Sequence, residues 1–359
     1  MGRKDGWVER TARWLAWAAA AWIVAALAGC AWIDAEQRAK VYKPTRGTLA
    51  DWQPVTARDE AFWIELPADA GTTDAAPGAT SGAVSSASLG AHPASERLRA
   101  IWIPADEPGA PALLYLHGTF RNMFYNRPKI AAIHDAGFSV LAIDYRGWGE
   151  SSPLLPSEPS IMADAEAAWS EFARRVPRPS QRVIFGHSMG SGVAVELAVR
   201  HHDPPGYAAL VVEAAITSMP DVIRDFNPFG ILLVPLVTQH FASIDKIGCI
   251  DAPKWFLAST ADKTVPPQQT QRLYDAASAP RHLVWFEGGS HSGLHREFAE
   301  RYRTVWQDVA ASLAHESAAP VATRPRCAAS QADAGGPMRT VPTSVATGSA
   351  ASAPLTSTR

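Results

Sequence analysis

Cysteine is nearly missing from this sequence: Cys30, Cys249 and Cys327 are the only three in 359 residues. Three thiols cannot supply a disulfide framework, and no CxxC pair or His/Cys cluster offers a zinc site, so neither a metal nor another cofactor is expected. Cys249, inside the apolar "KIGCIDAP", reads as a buried structural residue. An excess of charge is missing too. Lys and Arg number 33 against 35 Asp and Glu, a formal −2, which gives no electrostatic reason for a nucleic-acid partner. No internal repeat is visible. The one long apolar run, 14–28, ends after 15 residues at Gly29, whereas a bilayer-spanning helix needs roughly 20.

That run fits a signal-peptide core better than a membrane span. Residues 1–13 before it carry Arg3, Lys4, Arg10 and Arg13 against Asp5 and Glu9, a net basic start. Leu27, Ala28, Gly29 and Cys30 resemble the lipobox of bacterial lipoproteins, which implies cleavage after Gly29 and lipidation of Cys30. The expected address is therefore the bacterial cell envelope, as an exported protein anchored to a membrane. Residues 67–95 and the tail 317–359 are Ala-, Ser-, Thr- and Pro-rich, with almost no large apolar side chain to offset ordering entropy, and both read as disordered. With 47% hydrophobic residues overall, what remains suits one domain of roughly 220 to 250 residues. The expected layout is signal peptide 1–29, N-terminal segment and edge strand 30–66, insertion 67–95, domain 96–316 and tail 317–359.

Strand-like apolar runs fall at 61–66, 98–104, 112–116, 138–144, 182–186, 208–212, 254–259 and 282–286. Helical patterns fall at 122–135, 160–175, 189–201, 267–277 and 295–315. From residue 112 onward strand alternates with helix, which predicts a mostly parallel sheet covered on both faces, with the first two strands as an antiparallel edge. Ligands of such sheets bind beyond the carboxyl ends of the strands.

The chemistry-bearing motifs fall at those ends. Gly186-His187-Ser188-Met189-Gly190 matches G-x-S-x-G between a strand and a helix, where flanking side chains would collide across a sharp turn. Ser188 is thus the candidate nucleophile, and a serine hydroxyl needs a base to take its proton. Asp262 follows the strand 254–259, whereas the competing Asp245 and Asp251 precede it. His291 follows Gly288, Gly289 and Ser290 after the next strand; His295 enters a helix and His282 precedes the strand, so both are weaker bases. The order Ser, acid, His suits this architecture. Backbone N–H donors for an oxyanion would come from Met189 and from Thr119 in "LHGTFRN", with Phe120 as runner-up. His187 reads as packing beneath the turn, and Asp144 and Arg146 of "DYRGWGESS" as structural.

Together "HGTF", "DYRGWGESS", "GHSMG", Asp262 and "GGSH" resemble the α/β-hydrolase superfamily over about residues 100–315. "TSMPDV" and "ADKTVPPQQTQRLYDAA" are similar to its short-lid branch, the monoacylglycerol-lipase-like and serine-aminopeptidase-like members. "GCAWIDAEQRAKVYKPTRG" resembles the opening of bacterial lipoprotein hydrolases. The resemblance implies an α/β-hydrolase fold with a short lid near 217–248. It also implies a monomeric serine hydrolase that acts on a small-molecule carboxylic ester or thioester through an acyl-enzyme. Glu213, followed by "AAITSM", departs from the pattern at the loop expected to shape the acyl pocket. The apolar stretch 226–241 reads equally as pocket lining or as a core-capping pair of helices. No carboxylate cluster awaits a peptide α-amine, which disfavours aminopeptidase activity; a serine peptidase of another kind stays an alternative. A non-catalytic envelope binding protein on the same fold is the other class.

Overall fold

The strands are short runs rich in leucine, β-branched and aromatic residues, and several helices after them open on a polar cap or a proline. The computed structural model describes residues 5–48, 50, 52–66, 95–202, 206–226, 234 and 237–316. In chain order the first elements are α1 (Asp5–Tyr42), β1 (Glu60–Glu65), β2 (Arg97–Ile103), β3 (Ala112–Leu116), α2 (Met123–His134) and β4 (Ser139–Asp144). There follow α3 (Glu158–Arg175), β5 (Arg182–His187), α4 (Met189–Arg200), β6 (Ala209–Glu213) and α5 (Met219–Phe226). The chain then forms β7 (Lys254–Ser259), α6 (Pro267–Ala276), β8 (Arg281–Phe286), α7 (Leu294–Glu297) and α8 (Ala299–Glu316).

The strands form one sheet in the order β1-β2-β4-β3-β5-β6-β7-β8. β2 runs antiparallel to both β1 and β4, and every pair from β4 to β8 is parallel. Because side chains alternate across a strand, Leu114, Ile184 and Leu210 face one layer while Leu113, Val183 and Val211 face the other. The first layer holds Phe172, Val193 and Leu197 of α3 and α4. The second holds Ile130, Ile133, Trp306 and Val309 of α2 and α8. Covering both faces is what lets β3, β5 and β6 be largely apolar and buried along their whole length. Local chemistry agrees with these boundaries. Asn122 caps α2 by accepting from Tyr125 N, and Ser157 and Ser160 form a reciprocal capping box at α3.

All eight expected strands are present, within about a residue or two of their expected ends. Three expectations change. The C-terminal helix is broken at Phe298, whose φ of −133° and ψ of 47° are not helical, giving α7 and α8. At the N-terminus, Gly29 does not end the helix: Ala31, Trp32 and Ile33 extend the apolar face, and α1 runs on to Tyr42. Residues Trp17–Tyr42 are long and apolar enough to cross a membrane. Cys249 is half-buried and disulfide-bonded, not a buried thiol. Cys30 is free, and Cys327 lies outside the described residues. Sequence spacing by itself does not say which cysteine is bonded. The disordered stretches expected at 67–94 and 317–359 also lie outside the described residues.

Candidate active site

Ser188 joins β5 to α4 with φ 57° and ψ −125°, a region that side-chain-bearing residues rarely occupy and that costs about 1–3 kcal/mol. The surrounding backbone holds it there. Ser188 N donates to Glu213 O at 2.9 Å, and Ser188 O accepts from Ser191 N at 2.8 Å and Ser191 Oγ at 2.6 Å. The flanking glycines answer to close packing: a Cβ on Gly186 would sit 2.1 Å from Gly190 O, and one on Gly190 would sit 2.2 Å from Leu116 O. Gly118 lets the loop after β3 approach the serine, since a Cβ there would lie 3.0 Å from Ser188 Cβ.

Asp262 follows β7 and its carboxylate is divided between two tasks. Oδ1 accepts from Thr264 N at 2.7 Å and Val265 N at 2.9 Å, while Oδ2 accepts from His291 Nδ1 at 2.7 Å. The first pair fixes the carboxylate and the second orients the imidazole. His187 Nε2 donates to His291 O at 3.0 Å, so the residue beside the serine pins the loop that carries His291. Burial pushes the His187 pKa well down, which keeps it neutral and suits it to holding a carbonyl. His291 and Ser188 face the same cleft of about 1060 Å³ without a hydrogen bond between them.

The competing residues lie elsewhere. Asp251 and Asp245 precede β7, at the opposite end of the strand from Asp262. His282 stacks on Trp255 at 4.8 Å near the start of β8. His295 lines the cleft, but burial and the charge of Lys129 push it down to about 4. Phe120 N–H is occupied by Tyr42 O at 3.3 Å, whereas Thr119 N–H and Met189 N–H bond no acceptor among the described residues. The described part of the stretch expected to form a lid packs away from the cleft. Gln239 accepts from Tyr42 Oη and Glu158 N, both at 2.6 Å, and Phe241 is buried against Gly192.

A profile of the family described as serine aminopeptidase, S33, matches residues 110–246. An uncharacterized protein of Mycobacterium tuberculosis is 36% identical over 199 residues, 55% of this chain and 68% of its own length. The chain belongs to the α/β-hydrolases. It is a hydrolase, and its mostly parallel eight-stranded sheet is that family's fold. A lysophosphatidylserine lipase of Danio rerio, ABHD12, is 30% identical over 190 residues, spanning 48% of this chain and 49% of its own. Among solved structures, an esterase of Pyrococcus furiosus matches with a TM-score of 0.54 at 16% identity. That match covers 74% of this chain and 96% of the esterase and is a likeness of fold alone.

Two buried clusters in this hydrolase escape a reading of motifs. Lys129 Nζ and Tyr302 Oη both donate to Glu213, the latter at 2.8 Å, and all three side chains are buried beneath Ser188 and His187. Glu213, singled out in the sequence as unusual for the expected acyl-pocket loop, holds an internal ion pair. The one sequence signal was a lysine on the apolar side of α2, in "PKIAAIH". The second cluster is His117 and Asp144. His117 Nδ1 donates to Gly118 O at 2.7 Å, leaving Nε2 facing Asp144 Oδ1 at 3.5 Å, and Asp144 Oδ1 accepts from Met123 N at 2.7 Å. Arg146 is likewise turned inward, pairing with Asp164 at 2.6 Å.

Burial raises the Asp144 carboxyl from 3.8 to about 7, against the opposing pull of Met123 N–H and Arg46. From about pH 4 to 7 the folded protein holds a proton that the unfolded chain has released, so this group's stabilisation is lost as pH rises. His117 acts in the opposite sense. Burial lowers it from 6.5 to about 4, so its contribution grows as pH rises through that window. Asp144→Asn removes the first slope and leaves the second. Its Tm is expected to climb more steeply than that of the wild type between pH 4 and 7, and parallel Tm–pH curves would contradict the assignment.

Proposed function

We propose that this hydrolase cleaves carboxylic esters or thioesters through an acyl-enzyme on Ser188. What supports this above all is the strained Ser188 sharing one cleft with a His291–Asp262 pair bonded at 2.7 Å. Ser188 Oγ attacks the acyl carbon as His291 Nε2 takes its proton, and Asp262 Oδ2 holds the imidazolium through Nδ1–H. The tetrahedral oxyanion is received by the N–H groups of Met189 and Thr119, which no other acceptor occupies among the described residues. His291 then returns the proton to the leaving alcohol or thiol. Water, deprotonated by the same imidazole, releases the acid and restores Ser188. Similarity to a named lipase supports ester cleavage. An aminopeptidase would need a free carboxylate for the substrate α-amine, and the one carboxylate lining the cleft among the described residues, Glu297, is occupied by Ser290 N and Oγ. The test is labelling by a fluorophosphonate probe and mapping of the adduct; an adduct on any residue but Ser188, or none, overturns the assignment.

The protein is further proposed to be exported and tethered by lipid at Cys30. Cys30 is free and exposed on α1, among the exposed Trp17, Trp22, Trp32 and Val24, a surface that calls for removal or a bilayer. A disulfide at Cys249 suits an oxidising compartment. From Cys30 the helix runs to Tyr42, about 18 Å at 1.5 Å per residue. Tyr42 packs on Trp148 and Phe241, so the tether ends firmly in the core. Cys30→Ser is expected to leave the signal uncleaved or move the protein out of the membrane fraction. Cleavage and membrane fractionation like the wild type would rule out the anchor.

A further inference from the structure

The walls of the cleft are charged, and with one sign. Four cationic side chains line it, Arg121, Lys129, Lys263 and Arg296, against the single carboxylate of Glu297. Lys129 is neutralised by buried Glu213, and Arg296 lies 3.7 Å from Glu297. Arg121 and Lys263 remain: both are exposed, and neither forms an ion pair among the described residues. Their positions are tied to the chemistry. Arg121 is two residues past Thr119, on the loop that approaches Ser188, and Lys263 directly follows Asp262. The two therefore line the cleft of Ser188 from separate loops. Both cleft histidines other than His291 are held neutral by burial, with the charge of Lys129 adding to the effect. The lining is also poor in aliphatic surface, with Pro128 and Ala261 beside the aromatic rings of Phe120 and Tyr125. Such walls suit a hydrophilic, negatively charged part of a substrate rather than a fatty chain.

Building on the ester-hydrolase reading, we infer that the preferred substrates carry an anionic group, a phosphate or a carboxylate, on the alcohol side of the ester, engaged by Arg121 and Lys263. The charged head lies between the two loops. Arginine offers a planar fork of donors and lysine a point charge, and the pair accepts either anion.

The test uses three octanoyl esters of matched chain length: octanoylglycerol, octanoylglycerol phosphate and octanoyl glycerate. At low ionic strength kcat/KM is expected to be about tenfold higher for the preferred anion than for octanoylglycerol. That ratio falls toward one in Arg121→Gln/Lys263→Gln and, for the wild type, at high salt, because exposed charges are screened. Which of the two anionic esters is faster assigns phosphate or carboxylate. A ratio of one or less at low salt, or a ratio unchanged in the double variant, overturns the inference. Calorimetry on Ser188→Ala keeps it separate from the catalytic reading. Glycerol phosphate or glycerate is expected to bind where glycerol does not, and to lose binding with the two further substitutions. Equal binding of glycerol and both anions sinks the anionic site even if Ser188 is the nucleophile. A failed fluorophosphonate adduct with anion binding intact sinks only the nucleophile.

Discussion

Ser188→Ala is expected to lower kcat on a soluble ester by about 10⁴- to 10⁶-fold while leaving the protein folded. Removing Oγ deletes the atom that forms the acyl-enzyme, and His291 and Asp262 are left bonded at 2.7 Å with nothing to activate except water. The residual rate would come from the free N–H groups of Thr119 and Met189 and from binding alone. Folding is spared because Ser188 Oγ makes no hydrogen bond among the described residues, whereas its backbone N and O make three. A companion variant separates chemistry from strain. Ser188→Gly is equally inactive, yet glycine tolerates φ 57°, so it is expected to be more stable than Ser188→Ala, by about 1 kcal/mol. Steady-state kinetics and thermal melts on the pair decide it. An alanine variant that retains more than about a hundredth of wild-type kcat would show that the nucleophile lies elsewhere.

Glu213→Ala is expected to destabilise the fold by about 3–5 kcal/mol, the range for breaking a buried ion pair on one side. Glu213 is fully buried and is the acceptor for both Lys129 Nζ and Tyr302 Oη. Burial is the largest influence on Lys129 and lowers its pKa even with the carboxylate in place. Without that partner the amine is driven further toward its neutral form. The unfolded chain, with its lysine near 10.5, then binds a proton that the folded variant resists. The variant should therefore gain stability relative to the wild type as pH rises toward about 10. Lys129→Met/Glu213→Leu, which removes both charges, should recover most of the loss because two desolvated ions are replaced by apolar contact. Urea melts at two pH values measure all three proteins. A Glu213→Ala loss below about 1 kcal/mol would mean that the pair is not load-sharing in the core.

The strands, their order of alternation with helices and the residues gathered at the cleft were legible because each is a local property. "RVIFGHSMG" carries its own explanation: an apolar run, then glycines where an added Cβ would lie only 2.1 and 2.2 Å from neighbouring backbone oxygens, then a helix. Asp262 and His291 were distinguished from Asp251, Asp245, His282 and His295 by lying just after a strand, and strands that run parallel bring those ends together. Between Thr119 and Phe120 the sequence favoured Thr119 only through its neighbour Gly118; that Tyr42 O, far away in sequence, occupies Phe120 N–H could not be read from it.

By itself, then, the sequence determined the sheet, its covering helices and the type and order of the residues at the strand ends, since periodicity and turn chemistry act over a few neighbours. Only the tertiary structure decided which polar groups are removed from water together. Glu213 meets Lys129 and Tyr302 across separations of 84 and 89 residues, and His187 reaches the carbonyl of His291 across 104. Cys249 is disulfide-bonded, and α1 runs unbroken through Cys30 into a core that buries Tyr42. No local pattern encodes such pairings. They exist because a buried charge or donor must find a partner once the layers close, and which partner is within reach is a property of the closed fold.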